Sequence, residues 1–188
     1  MGICCGAEEN KSSRERPGNK QNNHKLEQAD LNSSMQANLK NIDSRIKILQ
    51  RGIEQELDHM IKNYDENINE YSFGQNKTLL LEAVIKCPNE KVIDMIMKKG
   101  ADVNLPELQT GNTAIFLCAL DLKVEFVKAL LKYNPDLNHV NKSKQNIFEF
   151  LQFQLFEQRK NLGREMVRQE KEKYEIIHGL LKEYVGGK

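Results

Sequence analysis

Apolar and polar positions follow a helical period over residues 37–71. Apolar side chains recur there every three or four positions, which places them on one face of an α-helix. The positions are Leu39, Ile42, Ile46, Leu49, Ile53, Leu57, Met60, Ile61 and Tyr64. The pattern predicts one long amphipathic helix, in which Gly52 is the only weak helix former.

Three roles are open for the apolar face of this helix. It can cap the following domain, because stacked repeats need their open ends covered. It can form a short coiled coil, which the heptad spacing from Leu39 to Ile53 favours and Glu56 at the next core position disfavours. It can lie in a membrane interface, which the mixed charge of its polar face disfavours.

Residues 7–36 contain scarcely any apolar side chain. Such a segment cannot bury enough surface to offset the entropy of ordering, so residues 1–36 are predicted to be a disordered tail. The chain therefore divides into this tail, the helix at 37–71, and a helical domain at 72–188.

From residue 78 the chain repeats a pattern of two apolar helices and a turn. The first-helix segments are TLLLEA from Thr78 and TAIFLCA from Thr113. The second-helix segments are VIDMIM from Val92 and FVKALL from Phe126. The turns are GADVN from Gly100 and NPDLN from Asn134.

These segments resemble the ankyrin repeat, which has a T-P-L-H-x-A helix, a second helix and a G-A-D-V-N turn in a period of 33 residues. Thr78 precedes Thr113 by 35 positions, and Thr113 precedes Asn146 by 33. Leu79 and Ala114 stand where the family prefers proline. The resemblance covers residues 74–185 and implies an all-α fold, a short ankyrin-repeat solenoid of two clear repeats and a third, and a protein partner.

The residues at the ends of these helices suit the same fold. Thr78 and Thr113 can each cap a helix start through the side-chain oxygen. Gly100 and Asn134 suit a left-handed residue after the second helix. The aspartates two positions later are suited to bonding their own turn backbone.

The third copy has longer segments between its landmarks. A first helix begins at Asn146, and its second helix is recognisable only at Glu175–Lys182. The sequence predicts two elongated helices joined near residues 161–163, with a charged extension from Arg164 to Lys173. This arm is either a C-terminal cap or a partner-binding projection.

The first residues, MGICCG, resemble the start of dually acylated proteins. In that class Gly2 takes myristate and cysteines such as Cys4 and Cys5 take palmitate, and a second chain makes attachment persistent. Gly6 departs from the usual Ser or Thr. Basic residues that can support attachment to an anionic leaflet follow at Lys11, Arg14, Arg16, Lys20 and Lys25.

Composition excludes several other classes of function. With 28 Lys+Arg and 27 Asp+Glu, the net charge of +1 gives no field that draws nucleic acid. No stretch is apolar enough to span a membrane or to serve as a signal peptide. The four cysteines form no CxxC pair, which favours a reducing compartment.

The sequence offers no catalytic, metal or cofactor motif. His24, His59, His139 and His178 are scattered, with no HExxH, nucleophile elbow or glycine-rich phosphate loop around them. The two later cysteines lie in helical contexts and suit small core positions. We therefore expect neither an enzyme nor a small-molecule substrate.

The sequence thus predicts a non-enzymatic adaptor on the cytoplasmic face of a membrane, or in the cytoplasm if it is not acylated. The alternative is a permanent structural subunit of a cytoskeletal or organellar assembly. Ankyrin resemblance implies partner binding by turn tips together with first-helix side chains. The predicted contact residues are Leu105, Glu107, Leu108, Gln109, Val140, Lys142 and Lys144.

Overall fold

The computed structural model describes residues 41–74, 76–162 and 168–187, which form helices and connecting turns. No strand occurs among these residues, and an isolated antiparallel bridge joins Phe73 to Lys77. The all-α prediction is confirmed for this part of the chain. The helices are α1 (residues 41–51), α2 (Glu54–Lys62), α3 (Leu79–Lys86), α4 (Lys91–Lys98), α5 (Ala114–Leu120), α6 (Val124–Leu131), α7 (Ile147–Leu162) and α8 (Arg168–Gly186).

Helices α2 to α8 pack in two rows that follow the order of the chain. In one row α3 contacts α5, and α5 contacts α7. In the other, α2 contacts α4, α4 contacts α6, and α6 contacts α8. Contacts of α3 with α4 and of α5 with α6 connect the two rows and define helix pairs. Contacts along the rows then pack each pair on the next pair along the chain.

The core lies between the two rows and is continuous from Leu49 in α1 to Leu181 in α8. Its helices are short, with 8 residues in α3 and 7 in α5, so they are not stable alone. Burial stabilises them, at about 1.5–3 kcal/mol for each large apolar side chain. The largest fully buried side chains are Phe73, Phe116, Leu49, Leu57, Leu79, Leu80, Leu81, Ile93, Ile96, Ile115, Leu130 and Ile147.

The turns after α4 and α6 have the predicted conformation. Gly100 has a φ of 88° and Asn134 a φ of 54°, both left-handed. Asp102 and Asp136 each accept a hydrogen bond from the backbone N–H two residues later, at 2.8 and 2.9 Å. The two turns therefore satisfy their own backbone as the sequence predicted.

Side-chain amides connect one turn to the next. Asn69 Oδ1 accepts a hydrogen bond from the N–H of Asp102 at 2.8 Å. Asn104 Oδ1 accepts one from the N–H of Asp136, also at 2.8 Å. These bonds fix the spacing of consecutive pairs, because each asparagine belongs to one turn and its donor to the following turn.

The segment at residues 67–69 is a further copy of this turn, which the sequence analysis missed. Asn67 Oδ1 accepts a hydrogen bond from the N–H of Asn69 at 3.1 Å, as Asp102 does in its own turn. Ile68 is 8% exposed and occupies the place of Val103. We therefore assign α1 and α2 as a helix pair that precedes α3 and α4.

The prediction of one continuous helix over residues 37–71 is wrong for the described residues. Gly52 has a φ of 65° and separates α1 from α2, and α2 ends at Lys62. Residues 37–40 of that prediction lie outside the described part of the chain. Because the helix breaks at Gly52, Ile53 has an extended backbone before α2, and its side chain is 47% exposed.

The break at Gly52 is fixed by a neighbouring pair. A Cβ atom at Gly52 would lie 2.6 Å from Cγ of Pro88. Asn89 Nδ2 donates a hydrogen bond to the Gly52 carbonyl at 3.1 Å. Only glycine combines the left-handed backbone with this close approach.

Arg45 connects α1 to the segment after α2. Its guanidinium donates to both carboxylate oxygens of Glu66, at 2.8 and 3.1 Å, and lies 4.4 Å from the ring centre of Tyr64. The Arg45 hydrogen bond holds the pKa of the Glu66 carboxyl below its ordinary value. Arg45 is only 8% exposed, so this bidentate pair satisfies a buried charge.

The first helices of the later pairs begin differently. Thr78 Oγ1 accepts a hydrogen bond from the Leu81 N–H at 3.4 Å. Asn146 Oδ1 accepts from the N–H of Glu149, whose carboxylate accepts from the Asn146 N–H, and this is a capping box. Thr113 is correctly placed before α5, but its hydroxyl is buried and makes no hydrogen bond. The predicted side-chain cap at Thr113 is therefore wrong.

The last pair is longer than the others, as the sequence predicted. α7 has 16 residues and α8 has 19, against 7 and 8 in the preceding pair. Of the predicted junction near residues 161–163, residues 161 and 162 belong to the last turn of α7, and residue 163 lies outside the described chain.

Candidate protein-binding surface

The loop between α4 and α5 is held by its own backbone and by the preceding loop. The N–H of Glu107 donates to the Asn112 carbonyl at 2.9 Å, and the N–H of Gly111 donates back to Glu107 at 3.0 Å. The N–H of Leu108 donates to the Asn76 carbonyl at 3.0 Å. These bonds place Leu108 at the tip of an ordered loop.

The loop between α6 and α7 is closed in a similar way. The N–H of Asn141 donates to the Gln145 carbonyl at 3.0 Å, and the N–H of Lys144 donates to the Asn141 carbonyl at 2.9 Å. Lys144 has a φ of 61°, which is uncommon for a residue that carries a Cβ. The loop therefore has a single defined turn at its tip.

The two loops pair with each other. The N–H of Lys142 donates to the Thr110 carbonyl at 2.9 Å, and the Lys142 Nζ donates to the Leu108 carbonyl. A Cβ at Gly111, whose φ is 75°, would lie 2.9 Å from the backbone nitrogen of Lys142. Consecutive tips therefore form one surface of adjacent loops.

A buried pair of amides, missed by the sequence analysis, lies beneath the tips. Asn141 Nδ2 donates to Asn112 Oδ1 at 3.0 Å, and both residues are at most 6% exposed. His139 Nε2 lies 2.8 Å from the Gly111 carbonyl oxygen. No spacing rule points to Asn112 and Asn141, because they occupy different positions of their loops.

Five of the seven predicted contact residues are exposed at the tips. Leu108 is 45% exposed and Val140 is 52% exposed. The other exposed residues are Gln109, Lys142 and Lys144. The structure thus brings these five side chains onto neighbouring loops.

Two of the predicted contact residues have a different place. Glu107 is 6% exposed, and its carboxylate accepts a hydrogen bond from Thr110 Oγ1 and lies 4.0 Å from Lys77 Nζ. The prediction that Glu107 contacts a partner is therefore corrected, because its buried carboxylate stabilises the loop instead. Leu105 is half-buried at the base of the loop.

The predicted lipidation residues Gly2, Cys4 and Cys5 lie outside the described residues. No described helix is long and apolar enough to cross a membrane. Membrane attachment through the first residues therefore stays a prediction.

The described residues assemble no obvious reactive group. Cys87 and Cys118 are buried, and burial raises the pKa of both thiols, which lowers their thiolate fraction. No group of three or more His, Cys, Asp or Glu side chains in the described part of the chain can hold a metal ion. An open cleft of about 450 Å³ lies beside Cys87 and Lys123, at the helix-to-helix turns.

Comparison with known proteins gives no family for this chain. A scan of the sequence against protein-family models found no match. A search of curated proteins also found no match.

Proposed function

We propose that the chain is a membrane-tethered adaptor that binds other proteins through an ankyrin-type repeat domain. Support comes from helix pairs that pack in order, and from the recurring left-handed turn at Gly100 and Asn134. The observation that carries the proposal is the pairing of the two tip loops, which leaves Leu108 and Val140 exposed on ordered backbone. Exposed apolar side chains on an ordered surface favour protein binding.

Acylation of the first residues would supply the tether. Myristate on Gly2 alone gives marginal binding, and palmitate on Cys4 or Cys5 makes the attachment persistent. Anchoring would confine the adaptor and a membrane-associated partner to the same surface, which raises their effective concentration.

The tether is tested by Gly2→Ala in the full chain, with Gly18→Ala as the matched control. Gly2→Ala removes the N-terminal glycine that takes myristate, so the protein should move from the membrane fraction to the cytosol. Gly18→Ala should leave its distribution unchanged. Cys4→Ser with Cys5→Ser should leave weak, exchangeable binding. Flotation of cell membranes measures all three, and a Gly2→Ala protein that still floats contradicts the tether.

A permanent structural subunit is the second candidate. Phe153 is 49% exposed and Ile176 is 48% exposed, so the last helix pair presents large apolar side chains that an assembly would cover. The two candidates differ in the behaviour of the purified Gly2→Ala chain. An adaptor should elute as a folded monomer in size-exclusion chromatography, whereas an obligate subunit should aggregate without its neighbours.

A further inference from the structure

The tip surface, made of Leu108, Gln109, Val140, Lys142 and Lys144, combines apolar and basic side chains. All five are exposed, and hydrogen bonds between the two loops hold them side by side. The two aliphatic side chains are each about half exposed. The surface is therefore preorganised and offers both apolar area and charge.

The exposed charge of these loops is positive. In residues 105–112 and 139–146 the acidic residue is Glu107, and it is buried and bonded to Thr110. Lys142 donates to a neutral carbonyl, which leaves its charge uncompensated. Neither Lys142 nor Lys144 has a carboxylate partner within the described residues.

Lys144 occupies a backbone conformation that glycine adopts in the preceding loop. Lys144 stands two positions before Asn146, and Gly111 stands two positions before Thr113. Their φ angles are 61° and 75°. The left-handed region is unfavourable for a residue with a Cβ atom and open to glycine. A lysine held there at a cost in stability points to a role in recognition.

We propose that the tip surface binds an extended acidic segment of a partner protein that also carries apolar side chains. Carboxylates of the segment would pair with Lys142 and Lys144, while its apolar side chains would cover Leu108 and Val140. This inference rests on the proposed adaptor function and defines the chemistry of its partner. A protein segment is favoured over a lipid surface because lipid attraction needs a cluster of about 4–8 basic residues.

The test uses the full chain carrying Gly2→Ala and two short labelled peptides. In one peptide leucine and aspartate alternate, and in the other lysine replaces aspartate. Fluorescence anisotropy at low salt should show that the acidic peptide binds at least about tenfold more tightly than the basic one. The preference should shrink as salt is added.

Charge reversal of the tip separates a local effect from a general one. Lys142→Glu with Lys144→Glu should weaken binding of the acidic peptide by about tenfold or more. Lys86→Glu with Lys173→Glu is the matched control, because both lysines are exposed near the helix-to-helix turns and the change in net charge is the same. Equal weakening by both pairs, or none by the tip pair, overturns the proposal.

Lys144→Gly separates binding from folding. Glycine relieves the left-handed backbone, so the midpoint of thermal unfolding should rise by about 2–4 °C while acidic-peptide binding weakens. Unchanged binding in this variant counts against the proposal.

Two further results overturn the acidic chemistry. One is preferential binding of the basic peptide. If Leu108→Ser with Val140→Ser then weakens binding of that peptide, the tips still bind a partner and the adaptor function stands. The other is no binding of either peptide, and tip-dependent binding to phosphatidylserine vesicles would then identify a lipid headgroup as the ligand.

Discussion

The α3–α4 and α5–α6 pairs share one plan but differ in how their polar groups are satisfied. Both begin after a threonine and end in a left-handed turn closed by an aspartate. The Thr78 hydroxyl caps α3, whereas the Thr113 hydroxyl is buried without a hydrogen bond. The same residue type at the same position therefore has opposite consequences for stability.

The two pairs also differ at the turn between their helices. The α3–α4 turn contains Pro88 and contacts Gly52 of the preceding pair. The α5–α6 turn contains Leu122 at a φ of 52°, followed by Lys123. The Lys123 Nζ donates hydrogen bonds to carbonyls at the end of α3, 2.5 Å to Val84 and 2.9 Å to Ile85. Each pair is thus completed by atoms of its neighbour.

The largest effect is expected at the start of the second pair, from Gly111→Ala. The new Cβ would lie 2.9 Å from the backbone nitrogen of Lys142, and alanine would have to adopt a left-handed backbone. The free energy of unfolding should therefore fall by about 3 kcal/mol. Gly100 follows α4, and a Cβ atom there would have no other atom within 4 Å, so Gly100→Ala should cost about 1 kcal/mol. Urea unfolding followed by circular dichroism measures both, and equal losses would contradict the close pairing of the tips.

An intermediate effect is expected from Lys123→Met, which removes the bonds between the two pairs. The side chain is 24% exposed, and losing its charged hydrogen bonds should cost about 1.5 kcal/mol. Lys128→Met is the control, because Lys128 forms an exposed ion pair with Glu125 worth about 0.3 kcal/mol. The same urea titration separates them, and a loss at Lys123 no larger than at Lys128 would show that its bonds do not stabilise the stack.

The smallest effects are expected at the threonines, where the sign should change. Thr78→Val removes a helix cap and should destabilise by about 1 kcal/mol. Thr113→Val replaces an unsatisfied buried hydroxyl with a methyl group and should stabilise by about 1 kcal/mol. Thermal unfolding of the two variants measures the difference, and a loss of stability in both would mean that the Thr113 hydroxyl has a partner in solution.

Features that depend on local chemistry were predictable from the sequence. The left-handed residues at Gly100 and Asn134 follow from the preferences of glycine and asparagine. The two repeated helix pairs follow from the spacing of their apolar residues. The break at Gly52 was not predictable, because a single glycine is tolerated within a helix and the contact with Pro88 belongs to another pair. The turn at residues 67–69 was not recognised because it lacks a glycine equivalent to Gly100.

The candidate site was predictable in position but not in detail. Loop tips between repeated helices are natural contact points, and Leu108, Val140 and Lys142 are exposed there. Burial of Glu107 depends on Thr110 and Lys77, and no helical or turn pattern connects these three side chains. Tertiary contacts of this kind decide which polar residues remain accessible.

The asparagine bonds between turns have a consequence for how the domain opens. Asn69 and Asn104 each hold the backbone of the following turn, so loss of one pair frees a donor only in its immediate neighbour. Unfolding that starts at α8 would therefore proceed inward one pair at a time, with a cost set by each interface rather than by the whole. The α3–α4 pair, which is covered on both sides and separated from α8 by another pair, would then exchange its amide protons with solvent more slowly than α5–α6.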